Sequence, residues 1–151
     1  MNKKYFLEKS MSKNKDIEFG LTKEDEYYEI LKDCFDETLE KTNNKYNLFD
    51  FIGKDCYIEL KSRRNTHDKY PDTMVGYNKI EFAKSTYKTV IFCFAFTDGL
   101  YYYVFDKTHL ANNTLRVDYG GRSDRGYEEY KQYCYIPVEL LKSTFSKKVR
   151  I

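Results

Sequence analysis

N-L-F-D-F-I-G-K-D-C-Y-I-E-L-K-S-R-R, residues 47–64, reads as two strands joined by a tight turn. The spacing predicts a first strand over Leu48–Ile52 and a second over Cys56–Ser62. Successive side chains of a strand point to opposite faces, and alternate positions lie about 6.6 Å apart. Ile58 and Leu60 therefore face one way, Glu59 and Lys61 the other. On the first strand Phe49 and Phe51 share a face and Asp50 takes the opposite one. A two-residue loop at Gly53-Lys54 or Lys54-Asp55 would put both phenylalanines beside Ile58 and Leu60. Asp50 then falls on the Glu59/Lys61 face, opposite Glu59 or one diagonal step away. Two carboxylates and an amine on one face make a poor core and a good metal site.

The flanking chain supplies the rest of a domain. A helix is expected over Thr22–Glu40, with Thr22 and Asp25 as a capping box and Tyr27, Ile30, Leu31, Cys34, Phe35 and Thr38 as its apolar stripe. Glu24, Asp25, Glu26 and Glu29 crowd its start, where acidic charge complements the helix dipole. Beyond the hairpin, residues 65–73 read as a loop. His67 there reads as a surface histidine, with a proton-shuttle role as the alternative. A second helix is expected over Met74–Ser85. Lys88–Thr97 is a continuous apolar run, the mark of a strand covered on both faces. Asp98-Gly99 signals a hairpin turn into a returning strand, Leu100–Asp106. Further strands are expected at Thr114–Tyr119 and Tyr133–Pro137, and a short helix at Val138–Ser143. The order helix, hairpin, helix, strand, strand gives an α/β fold with a mixed sheet flanked by helices.

Asp50 followed by Glu59-Leu60-Lys61 resembles the D…(E)xK signature of the PD-(D/E)XK nuclease superfamily, with Phe49 where the name-giving Pro would stand. The element order over residues 22–105 is similar to that superfamily's restriction-endonuclease-like αβββαβ core. The resemblance implies a metal-dependent nuclease whose Asp50, Glu59 and Lys61 carry the chemistry. It also implies one further carboxylate from the preceding helix, for which Glu26 is preferred and Glu29 second. Tyr77 and Lys79 match the place where the following helix often faces the site. Asp50, Glu59 and Glu26 would hold Mg²⁺ or Mn²⁺ through oxygen ligands. Lys61 would act on the attacking water or on phosphate charge. Arg63, Arg64, Lys79 and the glycine-flanked Arg122 and Arg125 are the candidate phosphate contacts. A structure-selective, resolvase-like DNA endonuclease is the expected activity, since the chain carries no recognition domain. The plain alternative is an exposed sheet face of cross-strand ion pairs. The functional alternative is a nucleic-acid-binding or virion-associated protein that keeps the fold without the chemistry.

Composition bounds these readings. At 151 residues the chain is long enough for one well-buried domain, expected over residues 19–151 behind a basic arm at 1–18. The longest apolar run, Val90–Phe96, is far short of a membrane span, and no secretory signal is visible. The four cysteines, 34, 56, 93 and 134, form no C-x-x-C pair and read as free buried thiols of a reducing compartment. A formal charge of only +2 confines any nucleic-acid surface to a local patch. Richness in Lys, Asn and Tyr fits an AT-rich, viral genome. The expected setting is intracellular, in host cytoplasm or nucleus, or packaged in a virion. Expected partners are nucleic acid, DNA before RNA, and a second copy of the chain or a larger replication complex.

Overall fold

From Val90 to Phe96 every residue is buried, which places this run at the middle of the protein. The structure, a computed structural model, describes residues 23–42, 47–120 and 131–144. The basic arm, Thr22 of the capping box, Arg122 and Arg125 lie outside the described residues. The elements are α1 (residues 23–34), β1 (Glu40–Lys41), β2 (Phe51–Ile52), β3 (Cys56–Ser62), β4 (Asp72–Gly76), α2 (Tyr77–Ala83), β5 (Thr89–Phe96), β6 (Gly99–Val104), α3 (Lys107–Ala111), β7 (Arg116–Gly120), β8 (Lys131–Pro137), a single 3₁₀ turn (Val138–Leu140) and β9 (Lys142–Ser143).

Two sheets result. The larger has the order β1-β2-β3-β5-β6-β9, and the smaller the order β4-β8-β7. Strands β3 and β5 run parallel along seven residue pairs, and every other pairing is antiparallel. A parallel pair needs a crossover, and β4 with α2 provides it. The fold is thus the expected mixed α/β class with a restriction-endonuclease-like core. One face of the large sheet packs Phe51, Ile58, Leu60 and Cys93 against Leu31 of α1 and Phe35 just beyond its end. The other packs Val90, Phe92 and Phe94 against Ile80 of α2 and against Val75, Cys134 and Ile136 of the small sheet. The four thiols are free and buried. None of the described helices is long and apolar enough to cross a membrane.

Several local expectations are corrected. The first helix ends at residue 34 instead of Glu40. Asp36 stops it, because its carboxylate accepts from the Thr38 N–H at 2.9 Å and the Thr38 hydroxyl at 2.6 Å. Such local side-chain bonds offer the backbone an alternative to helix. The same carboxylate crowds Gly53, where an added Cβ would lie 2.3 Å from Asp36 Oδ2. The hairpin loop is Lys54-Asp55, closed by Gly53 N–H donating to Cys56 O at 2.8 Å. Residues 48–50 bend before β2 begins, as Thr42 N–H donates to Asp50 O and the Thr42 hydroxyl to Phe49 O. Only Phe51 therefore joins Ile58 and Leu60, while Phe49 crosses to the other face and packs on Tyr57 and Phe82. Asp72–Gly76 is a strand where the loop is expected to end and the helix to begin, because Thr73 and Val75 are buried and pair with Ile136 and Cys134. The predicted Val138–Ser143 helix is one 3₁₀ turn followed by β9.

Candidate active site

Strand β3 must turn Glu59 toward the interior, since its neighbours Ile58 and Leu60 fill the opposite core. Glu59 is only 4% exposed and lies across from Phe92 in the parallel pair. Burying a carboxylate demands a partner. Lys79, from the first turns of α2, supplies one with its Nζ 3.2 Å from Glu59 Oε2. That contact is Coulombic, because the same oxygen has no aligned hydrogen-bond donor. The Lys79 ammonium spends a hydrogen bond instead on the Leu48 carbonyl, and it stands over the Phe49 ring.

Asp50 arrives from the bend before β2. That strand pairs with β3 only at Ile58 and Tyr57, so its ladder stops short of Leu60. The Asp50 carboxylate completes it by accepting the Leu60 N–H at 2.8 Å. A buried backbone donor needs such a partner, and the bond fixes Asp50 beside Glu59.

Three carboxylates meet around this point. Burial raises the Glu59 pKa to about 8, with the Asp50 carboxyl pushing the same way and Lys61 and Lys79 opposing. Burial also raises Glu24 to about 7, again with Asp50 adding to the shift and Lys41 opposing it. Asp50 is thus flanked by two acids that each resist ionising beside it. Lys61 lies two residues beyond Glu59 on the same strand face, half-exposed.

Glu24, rather than Glu26 or Glu29, is the helix carboxylate at this centre. Glu26 is 50% exposed and pairs with Lys23 at 3.1 Å, and Glu29 is exposed. The missed signal is the phase of the helix. Glu24 lies four, seven and eleven residues before Tyr28, Leu31 and Phe35, all of which pack inward. Lys79 faces Glu59 instead of solvent. Arg63 is half-buried and donates from Nε to the Thr73 hydroxyl at 3.3 Å and from Nη2 to Met74 O at 2.7 Å, so it ties β3 to β4. Arg64 is exposed beyond the strand, and Tyr77 opens α2 half-buried against the second core. His67 donates from its ring to Asp98 and stacks on Tyr101.

The family described as "Phage putative PDDEXK endonuclease" matches residues 18–144. The chain belongs to this family. No curated protein and no solved structure matches it. The PDDEXK match spans α1 through β9, and so takes in all three carboxylates of the centre.

PDDEXK nucleases typically use a divalent metal. The residues at the endonuclease's carboxylate centre fit one on two counts. Glu59 Oε2 is buried without a hydrogen-bond donor, and two of three convergent acids have raised pKa values that a divalent charge would reverse. The tightest group of metal-ligating atoms among the described residues is a different one, His67, Asp68 and Asp98, all within 4.8 Å of one another. Its exposed acids and the His67–Asp98 ion pair explain that closeness without an ion. The oxygen-only set at Asp50, with Glu59 buried and Asp50 and Glu24 half-buried, is the better match to a hard divalent cation.

Proposed function

We propose that this endonuclease is a Mg²⁺- or Mn²⁺-dependent hydrolase of DNA phosphodiester bonds, structure-selective in the manner of a junction resolvase and viral in origin. The observation that carries the proposal is the meeting of Glu24, Asp50 and Glu59 beside Lys61. Glu24, Asp50 and Glu59 would hold the cation, which when bound supplies charge stabilisation for the phosphate and its attacking water. Asp50 is aimed by the Leu60 N–H, and Glu59 by burial against Phe92. Lys61 stands at the rim of the centre, where its ammonium can orient the attacking water or offset negative charge gathering on the phosphate. Lys79 tempers the charge of Glu59 and keeps the 48–50 bend closed on the site. Arg64, with Arg122 and Arg125, would hold the substrate's backbone, which makes binding weaken with salt. Residues 19–151 would act as one catalytic unit inside the infected cell, and paired cuts at a junction would require a second copy.

The test is cleavage of labelled linear duplex, nicked duplex, four-way junction and single strand, each with EDTA, Mg²⁺ and Mn²⁺. Cutting that needs the metal, prefers the junction, and disappears in Glu59→Ala and in Lys61→Ala supports the proposal. Wild-type rates in either variant would overturn the site. Binding without cutting would leave the non-enzymatic reading, and preference for another substrate would replace the resolvase-like one.

A further inference from the structure

The odd-numbered face of β3 does not end at Lys61. Arg63 follows on the same face, about 13 Å from Glu59 by strand geometry, and forms a wall of a cleft of about 690 Å³. Besides Arg63, its lining includes His67, Tyr70, Asp72, Phe96 and Tyr135. The size is that of a small-ligand site, and the chemistry is unlike that of a phosphate cradle. Tyr70, Phe96, Tyr135 and the imidazole give flat apolar surface. The Asp72 carboxylate would repel a phosphate but accept from the N–H groups of a base.

These side chains are set in place before any ligand arrives. The His67 ring is stacked on Tyr101 at 4.4 Å between centroids, 15° from parallel, and is held by Asp98. Tyr135 has the Arg116 guanidinium 4.0 Å from its ring centre, and Arg116 also reaches Asp72 at 3.6 Å. Arg63 is fixed by Thr73 and Met74. Tyr70 is the exception, 54% exposed with Lys69 over its ring at 5.4 Å. A large apolar ring left in water at the mouth of an aromatic cleft is a stacking platform without its stack.

We infer that this cleft receives an unpaired nucleobase of the substrate strand whose phosphate lies at the Glu59–Lys61 centre. The occupant's class rests on the proposed nuclease function, and continuity along one strand face carries the rest. A paired base cannot enter, because its hydrogen-bonding edge and both faces are taken within a duplex. The subsite therefore favours DNA that is already unpaired or easily splayed.

The test separates base binding from cutting. Full-length protein in EDTA is titrated into a short deoxyadenosine strand carrying 2-aminopurine, and separately into an all-abasic strand of the same length. The expected result is fluorescence quenching and a preference for the base-bearing strand of about tenfold or more. Tyr70→Ala should lose most of that preference, and Tyr87→Ala, altered at a side chain 95% exposed elsewhere, should keep it. Equal affinity of the wild type for the two strands, or full preference in Tyr70→Ala, would overturn the inference. Base-dependent binding without metal-dependent cleavage would sink the nuclease reading and leave the subsite standing; cleavage without base preference would do the reverse.

Discussion

Asp50 Oδ2 accepts the Leu60 amide hydrogen at 2.8 Å, and through that bond a proposed metal ligand serves as the missing rung of a strand ladder. Structure and chemistry at position 50 can be separated by choice of substitution. Asp50→Asn keeps an acceptor oxygen and should fold with near-native stability while losing cleavage. Asp50→Ala leaves the Leu60 N–H unpaired and should cost about 1–3 kcal/mol as well. Urea denaturation of both variants beside a cleavage assay checks this, and equal stability of the two would contradict it.

Glu24→Gln and Glu26→Gln should differ sharply. Glu24 abuts Asp50 and Glu26 faces solvent with Lys23. Removing the Glu24 charge should weaken Mn²⁺ binding by tenfold or more, consistent with loss of one coordinating or supporting carboxylate, and slow cleavage. Glu26→Gln should change neither. Calorimetric titration with Mn²⁺ decides the matter, and a larger effect at Glu26 would reverse the assignment.

Metal-free stability should fall as pH rises. Both raised groups start from an ordinary value of 4.5, with Glu24 at about 7 and Glu59 at about 8 when folded. The folded state therefore binds the protons more tightly than the unfolded chain. The associated stability is full below about pH 4.5 and is lost as pH climbs through 7 to 8. For Glu59 alone the loss is on the order of a few kcal/mol. Thermal melts in EDTA from pH 5 to pH 9 should show the decline. Glu59→Gln should flatten it, and so should saturating Mg²⁺. A pH-independent melt of the wild type would contradict these protonation states.

Gly53→Ala should be among the costliest single-methyl additions in the chain. Its Cβ would meet Asp36 Oδ2 at 2.3 Å, and Asp36 is tied to Thr38 and Asp55. A loss of about 1–3 kcal/mol is expected. Pairing it with Asp36→Ala should relieve the clash, so the double variant would lose less than the sum.

The alternation of Ile58 and Leu60 with Glu59 and Lys61 was enough to read β3 and to turn Glu59 away from the Ile58/Leu60 face. The apolar run gave β5, and Asp98-Gly99 marked its return: the loop is Thr97-Asp98, and Gly99 takes the φ of +143°. What stayed hidden depended on distant partners. Met74–Gly76 looks helical until β8, some sixty residues on, pairs with it. Glu24 and Glu26 differ by 200° around a helix of 3.6 residues per turn, and only the packing of Leu31 and Phe35 shows which of them points inward. Arg63 looks like a free phosphate contact because its acceptors, Thr73 and Met74, belong to a strand that the local sequence does not announce.

The three carboxylates also differ in what holds them. Glu59 is in the long β3–β5 ladder, which lies between the two cores, whereas Glu24 is on α1, outside that ladder, and Asp50 in a bend that two strand residues follow. Local opening follows such differences, with ladder amides exchanging only on global unfolding and bends far sooner. One carboxylate of the three is therefore anchored in the ladder, and the other two reach it from outside. A cation binding all three acids would slow hydrogen exchange most in α1 and the 48–50 bend, the segments that stand outside the ladder bearing Glu59.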